Sequence, residues 1–395
     1  MSRILFAWEL GGGFGHLSRL EPIARNLRAA GHEVLFVSKD TQCAAKWLGP
    51  YGYRFLQAPV SATAYKLTRP PANYTEVLLT EGYAEPTALR GKVEGWAGIY
   101  QLYRPDIVVA DHSPTALLAA RFLDICRVQV GNGFELPPLV RPFPSIRPWE
   151  SIASALLEHS EATALAAINA VAEIYQGKPL SQITDLFDLN GFTLASFSEL
   201  DHYGPRQSIN YAGPIYPRHH GQKVNWPRGT GPRIFAYLRP SVPGFNLLMA
   251  ALSQSRARVI CVVPGADKNL LDAFSTDSVC IYRDPVDLGV LIGDMDLGMS
   301  YGGIGTVTPL LLGGVPVLLA PQNVEQYLFC TRVESLGAGL ILRNARSQQA
   351  IQDALTRILV EPSYVAAAKL FAARYADFNP DQAVEQAVMM INSVL

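Results

Sequence analysis

Short apolar runs alternate with segments of helical spacing along nearly the whole chain. Ile4 to Trp8 is such a run; it is followed by the turn Gly11-Gly12-Gly13-Phe14-Gly15-His16 and a helical pattern from about Leu17 to Ala30 that stops at Gly31. Glu33 to Val37 then reads as a strand, and the resulting βαβ unit predicts a parallel sheet. The alternation resumes with Ile107 to Ala110, ending at Asp111, a helix over Pro114 to Leu123 and a strand over Arg127 to Val130. The stretch from Phe134 to Trp149, rich in proline and aromatics, is expected to be an ordered surface loop, and Ile152 to Tyr175 a long helix.

Prolines 214, 217, 227 and 232, interleaved with Gly213, Gly221, Gly229 and Gly231, mark residues 211–232 as a linker. A second alternation follows: strands at Ile234 to Leu238, Val259 to Val263 and Val279 to Tyr282, and helices at Phe245 to Gln254 and Leu288 to Ile292. The run Met295 to Met299 enters a second glycine turn, Tyr301-Gly302-Gly303-Ile304-Gly305-Thr306, with a helix to Leu312, a strand at Val315 to Leu319 and a helix at Glu325 to Leu336. Helical patterns over Tyr364 to Phe378 and Asp381 to Leu395 close the chain, broken at Pro380. A chain of 395 residues exceeds what one core usually supports. The expected fold is therefore α/β, two Rossmann-like doubly wound parallel-sheet domains facing a cleft: residues 1–210, the linker 211–232, residues 233–378, and a terminal helix over 379–395.

The two turns differ in the chemistry they can hold. Gly302, Gly303 and Gly305 let the backbone bend and turn its N–H groups outward, and the helix after them points its positive end at the same spot, which suits a phosphate. Gly13, Phe14 and Gly15 set His16 at the carboxyl end of a strand, where open sheets bind ligands and where a histidine can act as a general base. Lys plus Arg (33) nearly balances Asp plus Glu (34), so charge offers no case for nucleic acid. An apolar fraction of 49% leaves room for a partly apolar small-molecule partner. The five cysteines, Cys43, Cys126, Cys261, Cys280 and Cys330, form no CxxC pair and read as reduced thiols. With no signal-peptide pattern and no apolar run of membrane-spanning length, a cytoplasmic protein is expected.

The segments GGGFGHLSRLEPIARNLRAAGHEVLFVS, RPDIVVAD and YGGIGTVTPLLLGGVPVLLAPQNVEQYLFCTRVESLGAGLIL together resemble the GT-B glycosyltransferases, specifically the bacterial antibiotic-type and plant natural-product enzymes. The resemblance implies an inverting, metal-independent transfer of a sugar from a nucleoside-diphosphate sugar to a hydroxyl. In it His16 matches the general base and Asp111 the carboxylate that orients it. Gly302, Gly303, Gly305 and Thr306 match the diphosphate cradle; Glu325 and Gln326 match the pair that bonds donor-sugar hydroxyls. Gly13, Phe14, Gly15 and Phe134 fall on the acceptor side, whose pocket is expected from residues 60–83 and 134–149. By analogy the terminal helix packs back on the first domain.

Departures from the pattern redirect the donor reading. Tyr301 and Ser300 stand where similar enzymes carry histidines, and Arg239, after the first strand of the second half, is the candidate replacement for phosphate binding. Pro309 stands where many similar enzymes carry a ribose-binding glutamate, which the antibiotic-type enzymes that use deoxythymidine-diphosphate sugars also lack; within the expected UDP or dTDP sugar this weakens the case for uridine, and the base stays open. Arg283, Asp284, Pro285 and Val286 replace a W-x-P-Q base-binding segment, and a guanidinium can stack on a base. Two other readings stay open. GHLSR, with Arg19, also resembles the start of nucleotide-sugar hydrolases, and the altered donor contacts would suit a non-catalytic partner subunit. Asp111 has a structural alternative too, as cap of the helix beginning near Pro114.

Overall fold

A computed structural model of the chain describes residues 1–61, 65–217, 220–242, 244–343 and 347–395. The chain divides into two compact units, Met1–Ile215 with Pro380–Leu395, and Tyr216–Asn379. Three residues of the expected acceptor loop 60–83, at 62–64, lie outside the described residues.

The first unit runs β1 (Arg3–Trp8), α1 (Gly15–Ala29), β2 (Glu33–Ser38), α2 (Thr41–Leu48), β3 (Arg54–Gln57), α3 (Tyr74–Leu78), α4 (Pro86–Tyr103), β4 (Ile107–Asp111), α5 (Pro114–Phe122), β5 (Cys126–Gly131), α6 (Ser154–Ile174) and β6 (Gly191–Leu194). Its six strands pair in parallel in the order β3-β2-β1-β4-β5-β6. Every residue of β4 is buried, which is why it reads as an unbroken apolar run.

The second unit runs β7 (Arg233–Tyr237), α7 (Phe245–Ser253), β8 (Arg258–Val262), α8 (Lys268–Phe274), β9 (Val279–Tyr282), α9 (Leu288–Leu291), β10 (Leu297–Ser300), α10 (Ile304–Leu312), β11 (Val317–Leu319), α11 (Val324–Ser335), β12 (Gly339–Ile341), α12 (Gln348–Val360) and α13 (Pro362–Arg374). Its strands are again parallel, in the order β12-β11-β10-β7-β8-β9. Both sheets share one winding. The chain works outward from a central strand, then returns to start beside it in the other direction. That reversal falls between β1 and β4 in one unit and between β7 and β10 in the other. Such switch points leave a crevice at the carboxyl ends of the two strands.

The last helix, α14 (Pro380–Asn392), belongs to the first unit and packs on α1 and β6. Ala383, Ala387 and Ile391 are fully buried on its inner face. Gly191 in β6 gives it room: a Cβ there would stand 2.7 Å from Met390 Sδ.

One expectation holds only in part. Residues 134–149 are a loop that lies only partly at the surface: Leu139, Val140 and Trp149 are exposed, whereas Phe143 and Ile146 are fully buried and Phe134 nearly so. The segment is tied inward, with Phe143 N–H donating to Glu161 Oε1 at 2.6 Å and Ile146 N–H to Ala72 O at 2.8 Å. Its prolines suppress regular structure while its aromatics still need a core. Among the described residues, no helix is long and apolar enough to cross a membrane.

Replacing Ile391 by alanine leaves a cavity between α14 and the first sheet and costs about 2–4 kcal/mol. Urea unfolding followed by hydrogen exchange should place that loss on amides of the first unit and leave those of β7 and β10 unchanged.

Candidate functional site

The site of the first unit is built where β1 and β4 end together, with Trp8 opposite Asp111 in the sheet register. After β1 the backbone turns through two left-handed glycines, Gly11 (φ 78°) and Gly13 (φ 85°). Gly11 has no substitute here: a Cβ on it would lie 2.5 Å from His16 Nε2. The turn delivers His16 in the first turn of α1, stacked on the Trp8 ring at 5.2 Å.

His16 Nδ1 lies 2.9 Å from Asp111 Oδ1. The carboxylate is completely buried, whereas the imidazole retains 12% of its exposure. One turn further along α1, Arg19 Nη1 donates to the same Asp111 oxygen at 3.1 Å. The Arg19 guanidinium also stands 3.5 Å from Glu135 Oε1. Glu135 is positioned in turn by Asn132 N–H, which donates to Oε2 at 2.7 Å. An ionised carboxylate only accepts, so Nδ1 carries the hydrogen of this contact, and in the neutral ring Nε2 then presents a lone pair. That arrangement suits proton abstraction.

His112, the residue after Asp111, takes a left-handed backbone (φ 48°) and is buried. Its ring lies 6.1 Å from His16, 5.9 Å from Tyr74 and edge-on to Phe134 at 6.0 Å. Burial holds its pKa well below the usual histidine value, with His16 when it is protonated, Lys39 and Arg19 acting in the same direction. Asp111 does not cap α5. That task falls to Glu9, whose Oε2 accepts Thr115 N–H at 2.9 Å while Oε1 pairs with the buried Lys92 at 2.5 Å. Of the other acceptor-side candidates, Phe14 packs on Trp47 with Lys46 over its face, Gly15 is exposed, and Phe134 faces His112 and Tyr74.

In the second unit the same topological position is occupied by Arg239, after β7, and by Tyr301 to Gly303, after β10. Tyr237 opposes Ser300 in the register, so the residues beyond them converge. The Arg239 guanidinium lies over the Tyr301 ring, 5.0 Å from its centroid. Burial pushes the Tyr301 phenol up, which keeps it a hydrogen-bond donor. Gly302 (φ 92°) sits over Cys330, whose Sγ would be 2.5 Å from any Cβ added there. Gly303 is the N-cap of α10 and has no side chain to offer its first-turn N–H groups, among them that of Gly305, whereas Thr306 N–H donates back to Gly303 O at 3.0 Å and Gly302 N–H to Ser300 Oγ at 3.2 Å. An uncapped helix start is open to an anion.

The remaining donor candidates are spread along neighbouring loops. Glu325 and Gln326 open α11, where Asn323 Oδ1 accepts the Gln326 N–H and Gln326 Oε1 accepts Gln322 N–H at 3.0 Å. Arg283 is exposed. Pro285 O accepts Gln222 N–H at 3.0 Å, and Val286 is buried, so its side chain offers no stacking face to a base. Sequence reading named Gly11 only as part of the turn and passed over Glu9 and Glu135. The one-turn spacing of His16 and Arg19 was the signal available; Glu135 sits in an aperiodic stretch that carries none.

Comparison with known proteins fits this geometry. Residues 246–390 match the family described as erythromycin biosynthesis protein CIII-like, C-terminal domain. The chain is 26% identical over 407 residues to a PGL/p-HBAD biosynthesis rhamnosyltransferase of Mycobacterium bovis (strain BCG / Pasteur 1173P2), covering 95% of this chain and 84% of the relative. Among solved structures, the glycotransferase of kitacinnamycin matches with a TM-score of 0.71 at 17% identity, over 100% of this chain and 99% of that one. The spinosyn rhamnosyltransferase SpnG complexed with thymidine diphosphate matches with a TM-score of 0.67 at 15% identity, over 98% and 100% of the two chains. The fold is GT-B.

Two outcomes test the geometry. Gly11→Ala should lose about 1–3 kcal/mol through backbone strain and the clash with His16, whereas Gly15→Ala, whose Cβ meets no atom within 4 Å, should stay within about 0.5 kcal/mol of the parent; equilibrium unfolding separates them. For His112 the unfolded ring takes a proton below about pH 6.5 and the folded ring only well below that, so stability falls as pH drops through this window. The contribution is up to about 1.4 kcal/mol per pH unit. His112→Asn, which tolerates the left-handed backbone, should flatten the stability profile between pH 6.5 and 5 by that amount.

Proposed function

We propose that this chain, a glycosyltransferase of GT-B fold, transfers a sugar from a nucleoside-diphosphate sugar to a hydroxyl of a partly apolar natural-product acceptor, with inversion. The observation that carries the reading is the His16–Asp111 pair at 2.9 Å, at the switch point of the first sheet, with Nε2 left basic. The acceptor O–H gives its proton to Nε2 as its oxygen bonds to the anomeric carbon. The bond from that carbon to the diphosphate oxygen breaks, and its electron pair leaves with the diphosphate. Attack from the face opposite the leaving group inverts the anomeric centre. Asp111 holds the imidazole in the required tautomer and stabilises the imidazolium that forms.

In this reading the second unit takes the donor. The first-turn N–H groups of α10, the Gly302–Gly303 turn and Arg239 receive the diphosphate, so the leaving charge meets fixed dipoles and a guanidinium instead of a metal ion. Glu325 and Gln326 bond the sugar, and Arg283 stacks on the base. A deoxythymidine-diphosphate donor is favoured because Pro309 has no carboxylate for a ribose hydroxyl and because a structural neighbour holds thymidine diphosphate. The names of the relative and of the neighbours, all tied to natural products or complex metabolites, support an acceptor of that class. Behind His16, His112 packs with Tyr74 and Phe134 in a buried aromatic cluster.

With a deoxythymidine-diphosphate sugar and an acceptor library, His16→Ala should lower kcat by about 10²- to 10⁴-fold, and Asp111→Asn should also fall sharply without loss of donor binding. Retention of the parent rate by His16→Ala would end the general-base reading. Release of free sugar without acceptor, at the rate of transfer, would convert the assignment to hydrolysis.

A further inference from the structure

Three side chains at the end of the first sheet form a set that the transfer chemistry does not call for. His16, His112 and Glu135 each offer one ligand atom, and these atoms lie within 4.8 Å of one another. His112 and Glu135 are buried, and His112 Nε2 has no hydrogen-bond partner among the described residues. Two imidazoles and one carboxylate, with coordination positions left over, is a ligand set that suits borderline divalent ions such as Zn²⁺ or Co²⁺ and is poor for Mg²⁺ or Ca²⁺. Tetrahedral bonds of about 2.1 Å put ligand atoms about 3.4 Å apart. The set therefore closes on an ion with side-chain shifts of about 1 Å.

The surroundings strengthen the assignment. His16 turns Nδ1 to the buried Asp111, which is the carboxylate–histidine contact that fixes ring orientation in metal sites and directs Nε2 toward the ion. Glu135 is oriented by Asn132 N–H at its other oxygen. Arg19, 3.5 Å from Glu135, opposes a second cation and limits the affinity.

We propose that His16, His112 and Glu135 form an inhibitory site for a borderline divalent transition metal. The site itself is independent of the proposed reaction; the inhibition rests on that reading, because the ion would occupy His16 Nε2, the atom assigned to take the acceptor proton. Bound Zn²⁺ would then suppress transfer.

The test begins with binding and needs no substrate. Metal-free protein is titrated with Co²⁺, following the visible absorption of the bound ion, and Zn²⁺ is then added to displace it. The expected result is one saturable site whose affinity falls at least about tenfold in His112→Asn and in Glu135→Gln, both verified as folded by thermal unfolding. Saturable binding unchanged in both folded variants, or none in the parent, overturns the site. If the site holds, micromolar Zn²⁺ that leaves transfer unaffected at saturation of the site contradicts the role of Nε2 while leaving the metal site standing. Failure of the proposal and failure of the transfer reading are thereby told apart.

Discussion

A single carboxylate oxygen organises the first unit's chemistry. Asp111 Oδ1, fully buried at the end of β4, faces an imidazole at 2.9 Å and a guanidinium at 3.1 Å. Burying a carboxylate costs several kcal/mol unless hydrogen-bonded partners replace its water. His16 and Arg19, one turn apart on α1, are those partners. The arrangement depends on β1 lying beside β4, since only that pairing sets the start of α1 over the end of Asp111's strand. It depends as well on Gly11, because any Cβ there would occupy the place of the imidazole.

The two units use one architectural device for two different chemistries. In each, the fourth strand in chain order returns to lie beside the first, and polar groups gather where the two strands end. In the first unit that place holds a buried charge network with a basic nitrogen at its edge. In the second it holds a left-handed glycine, an uncapped helix start and a guanidinium stacked on a tyrosine. The first suits the movement of a proton and the second the reception of an anion. Glycosyl transfer from a nucleotide sugar needs both. In the proposed function Arg239, carried beside Tyr301 by the neighbouring strand, takes the place of the histidine that similar enzymes carry there.

Much of the fold was readable because its central strands are buried on both faces and therefore appear as uninterrupted apolar runs. Ile4–Trp8 and Ile107–Asp111 are examples, and the glycine turns after Trp8 and Ser300 marked where the chain leaves each sheet. Two regular helices were passed over, α4 (Pro86–Tyr103) and α12 (Gln348–Val360), 18 and 13 residues long; the other misses were short, exposed or aperiodic. β3 lies at a sheet edge with Arg54, Leu56 and Gln57 exposed, so it lacks a buried pattern. β12 is three residues long. Residues 134–149 read as surface because prolines dominate them, yet Phe143 and Ile146 are core. The same stretch hid Glu135, whose contact with Arg19 is long-range and leaves no local trace. His16 and Asp111, 95 positions apart, could be paired only through a known family pattern; the spacing itself says nothing of their meeting.

In the proposed function the second unit receives a nucleoside diphosphate while the first holds the base. Thermal unfolding of the parent and of His16→Ala, each with deoxythymidine, uridine and guanosine diphosphates, tests it most directly. Ligand at about 100 times its dissociation constant adds about 2.7 kcal/mol, which raises Tm by about 5–10 °C for units of this size. That rise is expected with at least one nucleotide, deoxythymidine diphosphate foremost, and equally in both proteins. A flat response to all three nucleotides, or a rise abolished by the His16 substitution, would contradict it.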